Sequence, residues 1–507
     1  MIEVVLSDKA YENDVYPLVK AFYPEESIKV YSISEWELTG QISETGTVKG
    51  TGISGTDNNL LCIKMVLAPE IMELVFVKEN IIQSTDRLTL TPGHAKPAYK
   101  NALKRFLYQK LSGLTGHELP WGILTGIRPT KLVYEQLEQG AEEADIYDKM
   151  RSEYLCSDEK IAMSLEIAGR ELQLLNELNY QEGYSLYIGI PFCPSTCLYC
   201  SFTSYSAEKY SDYIERYLAA LEKEIRSFAD CLPGKKLNTV YLGGGTPTTL
   251  SAEQLDRLLS LVKEQFNFTE VREFCVEAGR PDSITEEKLK VLKKLGVDRI
   301  SINPQSMQQK TLDLIGRKHQ VEQVKEAFRL ARDTGHDNIN MDIIIGLPGE
   351  KPQDVADTLR QIGELNPESL TVHTLAIKRA ARLNTEKENY VEYKATEVPR
   401  MLEQAIQFAE DNDYLPYYLY RQKNMADNLE NIGYAKYGRE GLYNILIMEE
   451  KQTILALGAG GMSKFVFHKE NRLERVDNVK SVLDYINRID EMIARKKSFI
   501  KENYIID

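Results

Sequence analysis

Three cysteines, Cys193, Cys197 and Cys200, fall within eight residues of the segment LYIGIPFCPSTCLYCSF. Thiolates are the usual protein ligands of iron–sulfur clusters, and a cubane normally takes four of them. Three ligands on one short loop leave one iron without a protein ligand, and that iron can bind a reactant. The C-x3-C-x2-C spacing therefore predicts a [4Fe–4S] cluster that performs chemistry. Zinc and buried structural thiols are the alternatives, but zinc prefers four ligands and the next histidine is His319.

Two further motifs that could contact a ligand also follow apolar runs. The run Thr239–Leu242 leads into GGGTPT, in which Gly243, Gly244 and Gly245 precede Thr246. Glycine lets the backbone approach a ligand because no Cβ lies in the way, although a tight turn would also explain the triplet. The carboxylate of Glu277 ends another apolar run and could accept hydrogen bonds from sugar hydroxyls.

The elements that position these residues alternate between short apolar runs and amphipathic, helix-like stretches. The six runs are Leu186–Ile190, Thr239–Leu242, Glu273–Glu277, Arg299–Ile302, Asn340–Ile345 and Ser369–Leu375. Continuous apolar runs are typical of parallel strands that are buried on both faces. Six β–α units predict an α/β fold with a partial parallel barrel, whose functional residues follow the carboxyl ends of the strands.

The parts of the chain on either side of this repeat predict further units. Residues 1–180 are predicted to form an N-terminal α/β domain, and residues 181–385 the barrel that carries the cluster. Short β-like stretches occur at Ile28–Ile33, Leu60–Leu67 and Glu73–Val77, and helices are expected after Pro97 and over Ser157–Leu178. Residues 386–507 are predicted to form a C-terminal domain that covers the substrate.

Composition excludes several classes of protein. The net charge of −14 disfavours non-specific binding to nucleic acid, and no apolar run is long enough to span a membrane. The N-terminus lacks the pattern of a signal peptide, which predicts a cytoplasmic protein. Seven cysteines, an odd number, argue against a disulfide framework, and the four scattered ones have no assigned role.

The cysteine loop and the order of the motifs after it resemble the radical S-adenosylmethionine (SAM) superfamily. Within it, the chain is most similar to the branch of oxygen-independent coproporphyrinogen III oxidase (HemN) and the related haem chaperone (HemW). The similarity covers residues 184–380 well. The segments WGILTGIRPTKL and VHTLAIKRAARL are most similar to the HemZ subgroup.

This resemblance implies two cofactors, a [4Fe–4S] cluster and SAM, and a set of residues around them. The cysteine triplet would ligate the cluster, and a reduced flavodoxin or ferredoxin-type protein would supply the electron that cleaves SAM. Ten positions match residues that bind or border SAM in the family: Tyr187, Tyr199, Gly243, Gly244, Gly245, Thr246, Glu277, Gln305, Arg317 and Asp342.

The resemblance also implies a tetrapyrrole substrate and an oxidoreductase, a coproporphyrinogen III dehydrogenase of haem biosynthesis. Phe202 replaces the fourth cysteine of the oxidases, which leaves a haem chaperone and an enzyme that acts on haem as alternatives. Asp427-Asn428 stands where the chaperone has a His-Asn pair, which disfavours the chaperone. The substrate's carboxylates would need cations at the mouth of the barrel, and the candidates are Lys378, Arg379 and Arg382, or else Arg128 and Lys131.

Overall fold

The structure is a computed structural model of the 507-residue chain. It describes residues 1–503 apart from 35–40, 43–47, 50–60, 80, 92, 94, 127, 202–203, 377–380, 386–396 and 422–428. The described residues form two compact units, Met1–Leu165 and Glu166–Asp507. No helix in the described part of the chain is long and apolar enough to cross a membrane.

The first unit is built on a mixed five-stranded sheet in the order β2-β1-β5-β6-β7. The strands of the unit are β1 (Ile2–Leu6), β2 (Ile28–Ser32), β3 (Gln41–Ile42), β4 (Val48–Lys49), β5 (Leu61–Leu67), β6 (Ile71–Lys78) and β7 (Ile81–Thr89). Strand β1 pairs in parallel with β2 and β5, whereas β5, β6 and β7 pair antiparallel, and β3 and β4 form a separate ladder.

The helices that begin in the first unit are Glu12–Phe22, Lys96–Thr115, Pro129–Glu138, Glu143–Tyr154 and Asp158–Leu178. The first two pack their apolar residues, among them Leu18 and Leu107, against buried side chains of the sheet in one hydrophobic core. The three predicted β-like stretches and the two predicted helices are all present, within two residues of the expected ends. Strands β1, β3, β4 and β7 are additional to the prediction.

The second unit contains the predicted barrel within an eleven-stranded sheet. The strands of this unit are β8 (Gly183–Ile190), β9 (Phe192–Cys193), β10 (Tyr205–Ser206), β11 (Lys236–Gly244), β12 (Glu273–Gly279), β13 (Arg299–Ile302), β14 (Ile339–Ile345), β15 (Ser369–Thr374), β16 (Leu415–Tyr420), β17 (Asn431–Ala435), β18 (Thr453–Leu457), β19 (Met462–Phe467) and β20 (Arg472–Asp477), of which β9 and β10 form a separate two-stranded sheet. Six of them lie in the order β8-β11-β12-β13-β14-β15, and every neighbouring pair is parallel, which confirms the six-stranded prediction.

Crossover helices connect the parallel strands, as consecutive β–α units require. The helices that lie wholly within the second unit are Ser211–Ser227, Ala252–Gln265, Glu286–Lys294, Gln309–Leu314, Val321–Asp333, Pro352–Leu365, Arg382–Thr385, Val398–Asp411, Leu442–Glu449, Val482–Asn487 and Ile489–Asn503. Helix Ala252–Gln265 shows how sequence sets these ends: Ser251 accepts a hydrogen bond from Gln254 N–H, and the Gln254 side chain accepts one from Ser251 N–H.

Strands from the C-terminal part of the chain extend the barrel sheet at both edges. Strand β17 pairs antiparallel with β15 and carries β16 beyond it, whereas β18 pairs in parallel with β8 and carries β19 and β20. The two compact units therefore differ from the three predicted domains, whose boundaries lay at residues 180 and 385. The reason is that backbone pairing joins the region after residue 385 to the barrel.

Side chains alternate between the two faces of the barrel strands, because successive residues of a strand point in opposite directions. On β8, the buried Leu186 and Ile188 alternate with Ser185 and Tyr187. The same face as Ser185 carries Thr239 on the neighbouring strand β11, and Thr239 Oγ1 donates to Ser185 Oγ at 2.8 Å. We call this polar face the inner face, and it carries the candidate site.

A fully buried ion pair links the helices on the β18 side of the barrel. Lys496 Nζ lies 3.0 Å from Glu224 Oε1, and both side chains have 0% exposure. The other Glu224 oxygen accepts hydrogen bonds from Gly458 N–H at 2.8 Å and Tyr485 Oη at 2.5 Å. Lys496 also donates to the carbonyl of Ala456 in β18 at 2.6 Å, so the pair ties both helices to the barrel edge.

Candidate active site

The cysteine loop follows β8 and is held by backbone hydrogen bonds at each end. Cys193 lies in β9, and its carbonyl accepts from Ala207 N–H at 2.9 Å. Leu198 N–H donates to the Ile315 carbonyl at 2.9 Å, and Cys200 N–H donates to the Cys197 carbonyl at 3.2 Å. None of the seven cysteines forms a disulfide. The three clustered thiols are therefore chemically available on an ordered loop.

The three thiols are the candidate ligands of the predicted cluster, and in a cubane each would bind a different iron. Among the described residues, no three His, Cys, Asp or Glu side chains lie close enough together to hold one metal ion. Burial raises the pKa of Cys193, whereas a hydrogen bond from Thr246 and the charge of Arg280 favour its thiolate.

The three glycines at the carboxyl end of β11 bring backbone against both the cysteine loop and Glu277. A Cβ on Gly245 would lie 2.6 Å from the Phe192 carbonyl oxygen and 3.0 Å from Cys193 Sγ. A Cβ on Gly243 would lie 3.0 Å from the carboxyl carbon of Glu277. The GGGTPT motif is therefore more than a turn. Its glycines let the backbone lie close to the cysteine loop and to Glu277, and side chains at these positions would fill that space.

Glu277 lies on the inner face, near the carboxyl end of β12. Tyr241 Oη donates to Glu277 Oε1 at 2.5 Å. Burial raises the pKa of Glu277 to about 7, and the nearby charge of Asp342 acts in the same direction. The rings of Tyr187 and Tyr443 both stack on Tyr241, with centroid distances of 6.3 and 4.3 Å. These tyrosines give the carboxyl group a largely apolar floor.

Asp342 and Gln305 meet where β13 and β14 pass each other. Gln305 N–H donates to the Asp342 carbonyl at 3.0 Å, and Gln305 has a φ of 68°, which is unusual for a residue with a Cβ. Burial alone would raise the pKa of Asp342, but the neighbouring His373, whose Nε2 lies 3.9 Å from Asp342 Oδ2, and a hydrogen bond from Asn340 hold it below its usual value. Tyr420 Oη lies 3.2 Å from His373 Nδ1, so the Asp342 carboxylate begins an Asp–His–Tyr chain.

Arg317 connects the cysteine loop to the end of β13. It donates to Tyr199 Oη at 3.1 Å and to the Asn303 carbonyl at 2.6 Å. Three buried polar atoms on this side have no hydrogen-bond partner among the described residues: Arg317 Nε, Asn303 Oδ1 and Ser301 Oγ. Unpaired buried polar atoms are costly, so their grouping fits a site that receives a polar ligand.

The structure thus places the predicted site residues in one network. The cysteine loop contacts Thr246 and Arg317, the glycines contact Glu277, and Glu277 and Asp342 interact through their charges. Five residues of the site, Tyr241, Tyr443, His373, Ser301 and Asn303, were not predicted from the sequence. For Tyr241, His373 and Ser301 the available signal was a polar or aromatic residue at every second position of an apolar run.

Of the cations predicted for the mouth of the barrel, the described residues include Arg382, Arg128 and Lys131. Lys378 and Arg379 lie outside the described residues, as do Phe202 and the pair Asp427-Asn428. Arg382 is exposed, and Lys131 lies 3.8 Å from Glu135 on its own helix in the first unit. The tyrosine-rich strand β16 mainly packs inside the fold, since Tyr417 and Tyr418 are buried.

Comparison with known proteins agrees with this geometry. Residues 187–362 match the family model of the Radical SAM superfamily. The chain is 39% identical over 477 residues to the oxygen-independent coproporphyrinogen-III oxidase-like protein HemZ of Bacillus subtilis, covering 93% of this chain and 90% of that protein. It is 37% identical over 195 residues to the heme chaperone HemW of the same organism, covering 38% and 51%.

A solved structure shows the same fold. Coproporphyrinogen III oxidase (HemN) from Escherichia coli, described as a radical SAM enzyme, superposes with a TM-score of 0.50 at 24% identity, over 64% of this chain and 73% of that one. The chain belongs to the radical SAM superfamily, in the HemN/HemW/HemZ branch of coproporphyrinogen oxidase-like proteins. That superfamily uses a [4Fe–4S] cluster and SAM.

Proposed function

We propose that this protein is an oxygen-independent coproporphyrinogen III dehydrogenase, which converts two propionate side chains to vinyl groups and yields protoporphyrinogen IX. The observation that carries the proposal is that the cysteine loop, Gly243–Gly245 and Glu277 lie together at the carboxyl ends of parallel strands. The identity to HemZ along 93% of the chain supports the choice of substrate class.

Different residues of the site would hold the cluster and SAM. Cys193, Cys197 and Cys200 would each ligate one iron, and Gly243–Gly245 would border the methionine amino group of SAM. Glu277 would accept hydrogen bonds from the ribose, and Arg317 would pair with the SAM carboxylate. When bound, the cluster and SAM together would supply a 5′-deoxyadenosyl radical that abstracts hydrogen from the propionate β-carbon. Release of CO2 and transfer of one electron to an external acceptor would then leave the vinyl group.

Aromatic packing beneath the site would keep water from the radical. The inner face below Glu277 is filled by Tyr187, Tyr241 and Tyr443, all of them closely packed. Helix Leu442–Glu449 is fixed there because Glu273 accepts hydrogen bonds from its first two N–H groups, at 2.7 and 3.1 Å. A closed floor leaves the carboxyl ends of the strands as the side from which substrate enters.

A haem chaperone that keeps the cluster is the second candidate function. The identity to HemW across the barrel favours it, and so does Phe202 in place of the oxidases' fourth cysteine. An enzyme that acts on haem itself would share the same two features. The proposed dehydrogenase would take its electron from a reduced flavodoxin or ferredoxin-type protein, and it would act in the cytoplasm.

The decisive experiment is anaerobic, on the full chain with its cluster reconstituted. SAM and a strong reductant are added with and without coproporphyrinogen III, and 5′-deoxyadenosine and tetrapyrrole products are quantified. The dehydrogenase would cleave SAM in proportion to the vinyl products formed. SAM cleavage without porphyrinogen turnover would contradict this substrate, and a Soret band on adding haem would favour the chaperone.

The raised pKa of Glu277 predicts how SAM binding depends on pH. Below pH 7 the carboxyl group carries a proton and accepts hydrogen bonds poorly, whereas above pH 7 the carboxylate accepts them from both ribose hydroxyls. The affinity for SAM should therefore rise about tenfold from pH 6 to pH 8, as expected for one group titrating near 7. Anaerobic calorimetric titration measures this change.

The matched variant for this prediction is Glu277→Gln, which keeps the shape of the side chain but cannot titrate. It should bind SAM more weakly at pH 8 and show no such slope between pH 6 and pH 8. An equal slope in both proteins would mean that another group titrates and that Glu277 does not bind the ribose.

A further inference from the structure

Arg280 crosses from the end of β12 to the cysteine loop and is bonded at both ends. Its Nη1 donates to the Ser195 carbonyl at 3.1 Å and to Ser195 Oγ at 2.6 Å. Its Nε and Nη2 donate to the two oxygens of Asp282, at 2.9 and 2.6 Å. The side chain of Arg280 is only 4% exposed. Ser195 lies midway between Cys193 and Cys197, so this contact is made inside the cluster-binding loop.

The bidentate pair with Asp282 fixes where the guanidinium points. Two parallel N–H···O bonds restrict both the position and the plane of the group, which a lysine could not reproduce. The segment after Arg280 is itself rigid, because Ser283 Oγ donates to the Arg280 carbonyl at 2.8 Å and also lies 2.7 Å from Thr248 Oγ1. The two hydrogen bonds that Arg280 Nη1 donates to Ser195 are therefore held in one geometry.

The charge of Arg280 acts together with that of Arg317 on the same loop. Arg317 is also buried, and it bonds to Tyr199 on the other side of Cys197. His319, which interacts electrostatically with both arginines, has its pKa lowered to about 4 by burial and is neutral near pH 7. Asp282 offsets one of the two cations, which leaves the surroundings of the loop positive.

We propose that Arg280 is a positioning residue of the cluster, which clamps the cysteine loop through Ser195 and holds a cation beside it. The proposal rests on the cysteine ligands assigned above. A [4Fe–4S] cluster with three thiolates is negative, and reduction adds one more negative charge. A fixed buried cation therefore favours the reduced state, and the clamp slows opening of the loop and loss of iron.

The clamp and the charge can be separated by three variants of the full chain. Arg280→Met removes both, Arg280→Lys keeps the charge but not the fork, and Ser195→Ala removes one acceptor without changing any charge. Arg360→Met is the matched control, because Arg360 is 59% exposed and pairs with Asp357 and Glu364 on its own helix. The two readouts are the rate of iron release to a chelator and the midpoint potential of the reconstituted cluster.

Arg280→Met should release iron several-fold faster than the parent protein and have a more negative potential. Arg280→Lys should recover most of the potential but not the slow release, and Ser195→Ala should change release alone. Equal release rates and potentials in Arg280→Met and Arg360→Met would overturn the proposal. If the parent protein takes up no cluster, the cysteine assignment fails, and this proposal fails with it.

If Arg280→Met does not fold, Arg280→Lys and Ser195→Ala still test whether Arg280 clamps the cysteine loop. A Ser195→Ala protein that releases iron as slowly as the parent, beside an Arg280→Lys protein with unchanged release, would overturn the clamp. Faster release in both variants supports it.

Discussion

Replacing Cys197 by alanine is expected to abolish SAM cleavage and to prevent formation of a stable [4Fe–4S] cluster. Cys197 is the middle ligand of the triplet, and its buried thiol lies beside Arg317 and Tyr199. With two thiolates left, one more iron of the cubane loses its protein ligand, and the site that binds SAM is no longer unique. Iron and sulfide content and the yield of 5′-deoxyadenosine measure the effect.

The matched control is Cys231→Ala, which removes a half-buried thiol outside the cysteine loop. Its iron content and SAM cleavage should equal those of the parent protein. If Cys197→Ala retained a full cluster and cleaved SAM at a comparable rate, Cys197 would not be a ligand, and the proposed function would lose its basis.

Replacing Lys496 by methionine should lower the free energy of unfolding of the second unit by about 3–5 kcal/mol. The change leaves the Glu224 carboxylate buried without its cation, at 0% exposure. Removing one partner of a buried pair is more harmful than removing both, because the remaining charge has lost both water and its counterion. Denaturant unfolding, followed by the signal of the second unit, measures the loss.

Two variants test that reasoning. The double variant Glu224→Gln with Lys496→Met removes both charges, and its amide oxygen can still accept hydrogen bonds from Gly458 N–H and Tyr485 Oη, so it should recover part of the loss. Lys501→Met, an exposed change on the same helix, should alter stability by less than about 0.5 kcal/mol. A double variant less stable than Lys496→Met would contradict the account.

The barrel and its cofactor site could be predicted from the sequence because their signals are local. The six strands were found as apolar runs, and the cysteine triplet and the glycine triplet are short segments with their own chemistry. The apolar runs also predicted that Glu277 and Gly243–Gly245 would lie at the carboxyl ends of strands, as the structure shows.

The features that could not be predicted depend on contacts between residues that are distant in sequence. Tyr443 packs on Tyr241 from a helix two hundred residues further along, and nothing near either residue predicts that meeting. The role of Arg280 depends on Ser195, which lies before it in another β–α unit. The pairing of strand β18 with β8 was not predicted, because the apolar sequence of β18 does not indicate its partner.

The pairing of β18 with β8 has a consequence for how the protein is made. The strand that leads into the cysteine loop gains its second neighbour only after roughly 270 further residues have been synthesised. At 5–20 residues per second, the ribosome leaves that edge unpaired for roughly 15–50 s. An unpaired edge is a template for aggregation, and such long-range pairing folds slowly. We therefore expect chaperones to protect this edge during translation. We expect the cluster to be inserted after the chain has been released.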